Sequence, residues 1–532
     1  MINYIWLVML PILVGIPLLL IKFNTAKKII IIFQGFMVAA SVFNFLYIKE
    51  NGEVIQNVAN WPNYIGVALR ADLLAGSMVM LTTIIFMSMI LFNTKKDFSD
   101  NMFLFLFTAL EGLIIGIFLS NDLFNIFVLI EVATVIISIL IMYKRDSRSI
   151  YDGILYLMIN VVAMAFFLFG VGMVYKTVGV IDLYGIKEKV ALLSGPESMI
   201  LPYTFMITAI SLKAALMPLF SWLPKAHGTP SAPSIISAVL SGLYVKNGIY
   251  LFIRIQDVFA SQIDTSALFV YMGLFTAVIG FLLAVVQDDI KLILAYSTVS
   301  QIGLIMMAVN LGDERAYWGG LYHVFNHAVF KSTLFLSAGV IVDHYKTRDA
   351  CKIRGVYEQM PAISTVTIFA ILGIIGAPFF NGSVSKYLIS FGLTEFIGEL
   401  GILIVNLGTV TIFVRFTEIF FGKSDLKKPS VDIYSTGVIV FLGILCFLGG
   451  IFGQVIISFL FNVSFDVEFA FYIQKTASFI ATLFLGYGLY YGFIKKINIA
   501  KFLQKHELTF NGVCTTIAIF FIFTLAYVRI TH

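Results

Sequence analysis

The sequence predicts an all-α polytopic membrane protein, and three observations carry that prediction. Of its 532 residues, 60% are hydrophobic and 12% are charged, against about 45–50% and 25% in a typical soluble domain. About sixteen apolar segments are long enough to cross a bilayer, which takes about 20 helical residues. Lys and Arg concentrate in alternate loops. Together these features exclude a soluble enzyme and a disordered chain.

The apolar segments follow one another along the whole chain, separated by short polar connections. The first is too long for the apolar core of a signal peptide and has no small-residue cleavage site after Leu20, so it is expected to remain as a membrane anchor. The expected segments are 3–21, 28–47, 72–93, 102–120, 123–142, 152–175, 199–220, 230–254, 262–286, 290–310, 318–341, 363–391, 395–421, 433–463, 467–494 and 509–529.

The distribution of basic residues predicts the orientation of these segments. Loops after odd-numbered segments hold about 21 Lys and Arg, whereas the other loops hold about 8. Because cytoplasmic loops of membrane proteins are enriched in Lys and Arg, the N-terminus is expected on the outside of a cell (plasma) membrane.

Two apolar segments are interrupted in a similar way. Around 199–225 the apolar run is interrupted by Lys213, Pro218 and Pro224, and segment 373–386 contains three glycines, one proline and one lysine. An unwound turn at membrane depth is tolerated only where it lines a polar cavity, and paired interruptions in two halves of a chain are typical of inverted-repeat transporters. The pattern predicts a polar pathway through the middle of the membrane.

Seven of the ionisable residues within apolar segments carry the functional prediction. A charge at the bilayer centre costs at least about 2.5–3.5 kcal/mol, so it persists only with a partner, with water or with a function. The three on segment 318–341 have i, i+4, i+8 spacing and therefore share one helix face. The seven candidate proton-translocating residues are Glu131, Lys213, Lys246, His323, His327, Lys331 and Lys386.

Other interpretations of these residues are weaker. A single buried charge such as Lys246 can simply lock two helices together, but seven of them exceed what structure alone requires. His323 and His327 have the spacing of zinc ligands, yet no Glu lies between them and no carboxylate completes a site. The three cysteines are far apart, so no disulfide, iron–sulfur or thiolate zinc site is predicted. The sequence therefore predicts neither a cofactor nor a metal, and any redox centre must lie on another chain.

The residue types suggest a mechanism of proton transfer. Burial favours the neutral form of a lysine, whereas a nearby carboxylate favours the charged form. If Glu131 approaches and leaves Lys213, the pair acts as a protonation switch. Lys386, which has no carboxylate in its own segment, is the expected exit site.

Four strings of the sequence resemble a known family. They are NDLFNIFVLIE, LKAALMPLFSWLPKAH followed by SAVLSGLYVKNGIYLF, DDIKLILAYSTVSQIG, and HVFNHAVFKSTLFLSAG. The chain is similar, from about residue 70 to about 425, to the antiporter-type membrane subunits of respiratory complex I, membrane-bound hydrogenases, formate hydrogenlyase and Mrp-type cation/proton antiporters.

The resemblance implies a fold and a division of the chain. It implies about fourteen core helices, with one or two more at the C-terminus, and two inverted five-helix repeats that each contain a broken helix. The corresponding domains are 1–70, a core at 71–425 with repeats at roughly 102–254 and 262–421, and C-terminal helices at 426–532. It also implies that the seven ionisable residues form a proton path along the membrane mid-plane.

The resemblance implies a translocating subunit in a prokaryotic multisubunit complex, with other membrane subunits as partners and no redox centre of its own. Protons are favoured over sodium because no oxygen-rich cluster marks a sodium site, although sodium exchange elsewhere in the complex stays open. The basic loop KKINIAKFLQKHELTF is too short for a long lateral helix, so the chain is expected to be closer to the D-type subunits of Mrp-type antiporters or to the equivalent subunit of a membrane-bound hydrogenase. An NADH-, ferredoxin- or hydrogen-linked oxidoreductase, an autonomous secondary transporter, and a passive scaffold or quinone-site subunit stay open as alternatives.

Overall fold

The computed structural model describes residues 2–61, 66–96, 99–228, 232–393, 396–429, 431–465, 469–496 and 509–532. Within these residues the protein is all-α except for one hairpin, in which β1 (Val54–Asn57) pairs antiparallel with β2 (Ala68–Ala71). The helices are α1 (Tyr4–Leu18), α2 (Phe23–Asn51), α3 (Leu73–Asn93), α4 (Asn101–Leu119), α5 (Leu123–Ile141), α6 (Ser147–Val178), α7 (Leu183–Ala191), α8 (Glu197–Lys213), α9 (Trp222–Gly228), α10 (Ser234–Val239), α11 (Val245–Phe259), α12 (Ser266–Val285), α13 (Ile290–Val309), α14 (Glu314–Tyr345), α15 (Val356–Gln359), α16 (Pro361–Ile375), α17 (Asn381–Ile389), α18 (Phe396–Thr417), α19 (Ile433–Ile451), α20 (Gly453–Phe461), α21 (Phe469–Gly492) and α22 (Phe510–Thr531).

The predicted membrane-spanning character is confirmed. Within the described ranges, thirteen helices are long and apolar enough to cross a membrane, counting α10 and α11 as one span. The shorter α1 and the broken pairs α8–α9 and α16–α17 account for the other predicted segments. One boundary differs, because segment 433–463 is two helices, α19 and α20, rather than one. Positions 497–508, in the basic loop expected to be too short for a lateral helix, lie outside the described residues.

Aspartate side chains define where many helices begin. In each case a carboxylate oxygen accepts a hydrogen bond from a backbone N–H of the first turn, which otherwise has no partner within the helix. These loop carboxylates therefore stabilise helix starts at the membrane surface. The capping residues are Asp72, Asp100, Asp122, Asp146, Asp182, Asp289, Asp313 and Asp432.

Ion pairs sort the helix ends into two faces of the molecule. One face, called here the hairpin face, carries β1–β2 and the pairs that join Arg70 and Arg254 to Asp72. The opposite face, the lysine-rich face, carries pairs such as Lys96 with Asp343. This sorting agrees with the alternating crossings expected from the loop charges.

Both termini of the chain lie at the hairpin face. The Tyr4 N–H donates to Gln56 Oε1 of β1 over 2.8 Å. At the other end, the Asp264 N–H, in the connection between α11 and α12, lies 3.1 Å from Nε2 of His532. The two termini lie on the same face because the chain crosses the membrane an even number of times between them.

A backbone motif occurs twice, once on each face. Asp122 and Asp182, at the starts of α5 and α7, form an isolated antiparallel bridge at the hairpin face. Asp289 and Asp349 form the same bridge, at the same spacing in sequence, at the lysine-rich face. The backbone hydrogen bonds that flank each bridge also correspond. Repetition on opposite faces is the relation that two inverted repeats produce. The bounds of the expected repeats, 102–254 and 262–421, stay a prediction.

Both predicted interruptions are breaks in helices. The helix α8 ends at Lys213, and Ala215 then adopts a left-handed conformation with φ of 54°. The helix α16 ends before Gly376 (φ 82°), and Phe379 (φ 68°) is also left-handed. The indole Nε1 of Trp222 in α9 donates to the carbonyl of Leu212 over 2.7 Å, which satisfies a carbonyl near the end of α8.

A third irregularity was not predicted from sequence. Residues Leu240–Tyr244 form a π-helical turn between α10 and α11. The most apolar stretch of this span is entirely buried inside the protein. Turns of this kind widen the helix and frequently occur at functional sites.

Candidate functional site

All seven predicted residues lie on membrane-spanning helices, but their environments differ. Lys246, His323, His327 and Lys331 have no exposed surface, and Lys213 and Lys386 are 5% and 7% exposed. Glu131 is only half-buried and lies on a face of α5 that also presents Val128, Val132 and Val135. Because charged groups are costly in a low-dielectric interior, the partners of each group determine what it can do.

Lys213 is held at the break of α8 by hydroxyl groups. Its Nζ donates to Thr134 Oγ1 of α5 over 3.0 Å. Thr134 Oγ1 is in turn 3.0 Å from the Tyr244 hydroxyl, and Lys213 Nζ lies 5.8 Å from the centre of the Tyr244 ring. Thr134 and Tyr244 therefore provide polar contacts that sequence analysis did not anticipate.

Glu131 lies near Lys213 but does not pair with it. The two groups are close enough to interact electrostatically, yet within the described ranges no ion pair of 4 Å or less joins them. Glu131 Oε1 is buried and has no hydrogen-bond partner among the residues that the structure describes. The structure thus shows the two groups apart, with Lys213 Nζ donating to Thr134 Oγ1 instead.

Lys246 lies where the π turn meets α11. Its Nζ donates to the backbone carbonyl of Ser241 and contacts Nδ1 of His327 on α14. The Ser241 hydroxyl is 2.8 Å from Thr298 Oγ1 of α13. The π turn directs the Ser241 carbonyl toward the lysine, and Lys246 and His327 form a direct contact between two spans.

Lys331, one helical turn beyond His327, contacts α13 rather than α11. Its Nζ donates to the Leu294 carbonyl over 2.8 Å and to Ser297 Oγ over 2.5 Å. It remains close enough to Lys246 to interact electrostatically. Lys331 therefore lies beside the contact between Lys246 and His327 rather than within it.

His323 links α14 to α13 and α17. Its Nε2 lies 3.0 Å from Gln301 Oε1, and its Nδ1 lies 2.8 Å from Ser385 Oγ. The Gln301 amide is oriented by a hydrogen bond from its Nε2 to Thr409 Oγ1 over 3.2 Å. Because a carbonyl oxygen can only accept, Nε2 carries the proton and Nδ1 is available to accept one from Ser385.

Lys386 lies on α17, immediately after the second break. Its Nζ donates to the Ile375 carbonyl, at the end of α16, over 3.3 Å. It also lines a cavity of about 420 Å³. Lys386 is close enough to His323 to interact electrostatically, which makes it the neighbour of His323 on the side of α17.

Two further ionisable residues belong to this region, and sequence analysis did not select them. His227 of α9 is fully buried, its Nδ1 is 3.2 Å from the Ser237 carbonyl, and it is in electrostatic range of Lys331, Lys246 and Lys291. Lys291, which was counted with the loop lysines, is 3% exposed and donates to the Ala232 carbonyl over 2.9 Å.

The buried groups form a series rather than a compact catalytic centre. The series runs from Glu131 through Lys213, Lys246, His327 and His323 to Lys386. Lys246 contacts His327 directly, whereas the pairs Glu131–Lys213, His327–His323 and His323–Lys386 are in electrostatic range. The hydroxyls of Thr134 and Tyr244 lie between Lys213 and the turn before Lys246. Within the described residues, no group of three or more His, Cys, Asp and Glu side chains is arranged to hold a metal ion. The arrangement suits stepwise proton transfer between neighbouring groups.

The fold and this buried series define a class of protein, the multi-pass helical membrane proteins with two broken helices that flank a polar interior. Residues 120–412, more than half of the chain, match the family described as NADH:quinone oxidoreductase/Mrp antiporter, transmembrane. The chain belongs to this family.

Relatives from two branches of the family match most of the chain. It is 29% identical over 442 residues to the D-type Na(+)/H(+) antiporter subunit of Alkalihalophilus pseudofirmus, covering 80% of this chain and 88% of that protein. It is 27% identical over 451 residues to the M-type NADH-quinone oxidoreductase subunit of Rickettsia prowazekii, covering 80% and 90%.

Solved structures share the fold. A chain of the Mrp complex from Dietzia sp. has a TM-score of 0.78 at 21% identity and covers 91% of this chain and 100% of its own. A chain of the membrane-bound sulfane sulfur reductase, an archaeal respiratory membrane complex, has a TM-score of 0.79 at 23% identity and covers 90% and 99%.

Proposed function

We propose that this chain is a proton-translocating subunit of a multisubunit membrane complex and that protons move along the buried series from Glu131 to Lys386. The observation that carries the proposal is the continuity of that series. Glu131 with Lys213, and His323 with Lys386, are in electrostatic range, and Lys246 contacts His327 directly. Between Lys213 and the π turn that precedes Lys246 the link is made by the hydroxyls of Thr134 and Tyr244. A scaffold has no need of such a series.

Glu131 and Lys213 are proposed to act as the switch. With the groups apart, the buried Lys213 ammonium depends on neutral hydroxyls and tends to release its proton. When Glu131 closes to about 4 Å, the attraction is worth about 4 kcal/mol at an effective dielectric constant of 20, which favours the charged lysine. Opening and closing the pair therefore changes whether Lys213 holds a proton.

Lys246 and His327 are proposed to transfer the proton across the centre. An imidazole nitrogen can accept a proton from the ammonium in direct contact with it and can pass a proton on from its other nitrogen. His323 then continues the path to Lys386, with Ser385 as a hydroxyl bridge. Lys331 and His227 set the local charge around this central step.

The proposal extends to the surroundings of the chain. The partners are other membrane subunits of an antiporter or a respiratory complex, like those to which the relatives belong. The complex lies in a prokaryotic plasma membrane, and the hairpin face, which carries the N-terminus, is outside because the opposite face is rich in lysine. The family core is taken as residues 71–425, with N-terminal helices at 1–70 and C-terminal helices at 426–532.

Two measurements test the proposal. The first is proton uptake by proteoliposomes containing the native complex with Glu131→Gln or Lys213→Met. Both changes are expected to lower the rate by at least about tenfold, which corresponds to about 1.4 kcal/mol in the barrier. Lys187→Met is the matched control, since Lys187 pairs with Asp257 in an exposed ion pair at the surface. Undiminished uptake in both core variants would refute the proposed path.

The second measurement is purification of the chain from its native membrane and identification of the proteins that accompany it. Redox subunits would assign it to an oxidoreductase complex, and small antiporter subunits would assign it to an antiporter. Isolation of the chain alone with full transport activity would refute the role as a subunit and favour an autonomous transporter.

A further inference from the structure

The helix α21 lies beyond the matched family region but contacts the second helix break directly. The Tyr472 hydroxyl, in the first turn of α21, accepts a hydrogen bond from the Phe379 N–H over 3.0 Å. It also lies 3.4 Å from Ser383 Oγ at the start of α17. Phe379 is one of the left-handed residues of the break, so its amide has no partner within a helix. A residue of α21 therefore stabilises the backbone next to Lys386.

The same helix closes a cavity against Lys386. The cavity has a volume of about 420 Å³ and is bounded by the break between α16 and α17, by α18 and by α21. Lys386 lies on one wall, Glu399 and Asn406 line the α18 wall, and Lys475 lines the α21 wall. The cavity therefore joins a member of the buried series to charged residues that the series does not include.

The depth and direction of the cavity follow from the helix register. Both α18 and α21 end at the lysine-rich face, where Arg415 pairs with Asp288 and Lys495 pairs with Glu418. Their first turns, which carry Glu399 and Lys475, therefore lie toward the hairpin face. From Glu399 to Asn406 the helix rises about 10 Å at 1.5 Å per residue. The cavity thus reaches from the neighbourhood of the hairpin face into the interior.

The lining indicates that the cavity holds water. Glu399, which is exposed in the first turn of α18, and Lys475 are opposite charges in electrostatic range. Asn406 Oδ1 is buried and has no hydrogen-bond partner among the described atoms. At about 30 Å³ per molecule, the volume accommodates roughly a dozen waters.

We infer that α21 completes a water-filled vestibule that connects Lys386 to the hairpin face, with Tyr472 positioning the helix break and the Glu399–Lys475 pair at the mouth. In this step the Lys386 ammonium gives its proton to a vestibule water, the neutral amine remains on Lys386, and the proton leaves as hydrated proton past Glu399. The inference rests on the proposed function for the role of Lys386. It adds the route beyond Lys386 and assigns α21 to it.

Cysteine accessibility tests the vestibule without depending on transport. Asn406→Cys is made in the intact complex, in a background where Cys351 and Cys514 are serine and the buried Cys446 is kept. Tyr487→Cys is the control, since Tyr487 is 56% exposed on α21 away from the cavity. We expect a membrane-impermeant cationic methanethiosulfonate reagent to modify position 406 at least about tenfold faster than position 487, and only from the hairpin face.

The outcomes separate the vestibule from the proposed function. Equal rates at the two positions, or modification of position 406 only from the lysine-rich face, would overturn the vestibule. If Asn406→Cys does not assemble, Thr476→Cys, which lines the same cavity on α21, takes its place. Labelling as expected together with normal proton uptake in Lys213→Met would instead count against the proposed function alone.

Transport measurements test the role of α21. Tyr472→Phe and Lys475→Met are each expected to lower proton uptake by at least about fivefold, whereas Tyr487→Phe on the same helix leaves it unchanged. Loss of uptake in Tyr472→Phe with unchanged labelling of position 406 supports a positioning role at the break. Unchanged uptake in both cavity variants would overturn the inference that the proton leaves by this route.

Discussion

The hydroxyl of Thr134 is predicted to control the charge state of Lys213. Thr134 is fully buried, and its Oγ1 accepts a hydrogen bond from the Lys213 ammonium over 3.0 Å. The same Oγ1 lies 3.0 Å from the Tyr244 hydroxyl. The change Thr134→Val keeps the shape of the side chain and removes this oxygen. It leaves a buried ammonium and a buried phenol without the group that joins them.

The expected magnitude follows from these contacts. Leaving a buried donor without its acceptor costs about 1–3 kcal/mol, more when the donor is charged. If that cost falls on the charged form of Lys213 through which each proton must pass, the rate falls by about 5- to 150-fold, at 1.36 kcal/mol per tenfold. The initial rate of proton uptake by proteoliposomes containing the complex measures this loss.

Two controls make the result specific to the hydroxyl. Thr134→Ser keeps the oxygen and is expected to retain uptake within about threefold of wild type, because only a methyl group is removed. Thermal unfolding of the purified complex shows whether Thr134→Val still folds. A well-folded Thr134→Val variant with wild-type uptake would show that the contact between Thr134 and Lys213 plays no part in transport.

Three further predictions concern other parts of the structure. Lys246→Met keeps much of the side-chain volume but removes the ammonium that contacts α14. Proton uptake in proteoliposomes is therefore expected to fall by at least about tenfold. Uptake at the wild-type rate would contradict a role of Lys246 in the proton path. Burial alone would raise the pKa of the Asp72 carboxyl, but the Arg254 guanidinium holds it below its ordinary value. This ion pair therefore contributes to stability above about pH 4, and its contribution is lost as the pH falls through the lowered pKa of Asp72. Asp72→Asn should lower the free energy of unfolding by about 1–3 kcal/mol at neutral pH. The same change should remove the part of the stability that wild type loses in acid. A Cβ at Gly382 would overlap a backbone carbonyl of α16, so Gly382→Ala should lower the melting temperature. Gly172→Ala, with no atom within 4 Å of the new Cβ, should leave the melting temperature unchanged or raise it. Equal melting temperatures for the two variants would contradict the close packing at the break.

Much of the fold could be predicted from sequence because membrane insertion depends on local properties. Each segment of about 20 apolar residues partitions into the bilayer largely by itself, and the charges that flank it set its direction. The two interrupted segments were also visible, since proline and glycine interrupt a helix wherever they occur. The π turn before Lys246 was not, because its residues are as apolar as those of an ordinary helix.

The candidate site was only partly predictable. Buried ionisable residues stand out against an apolar background, so all seven candidates could be selected without knowing their neighbours. Their partners could not be selected, because serine and threonine are common in membrane helices and neither they nor a single glutamine forms a distinctive local pattern. Gln301 and Ser385 became recognisable only when the fold brought them to His323.

The sequence by itself therefore determined the class of the protein, the number and alternation of its crossings, and the ionisable residues of its interior. These properties follow from the transfer of short segments between water and lipid, which each segment undergoes according to its own composition. The tertiary structure decided which of those residues meet. The separation of Glu131 from Lys213, the contact of Lys246 with His327 and the cavity between Lys386 and α21 all arise from packing between helices distant in sequence, which no local pattern encodes.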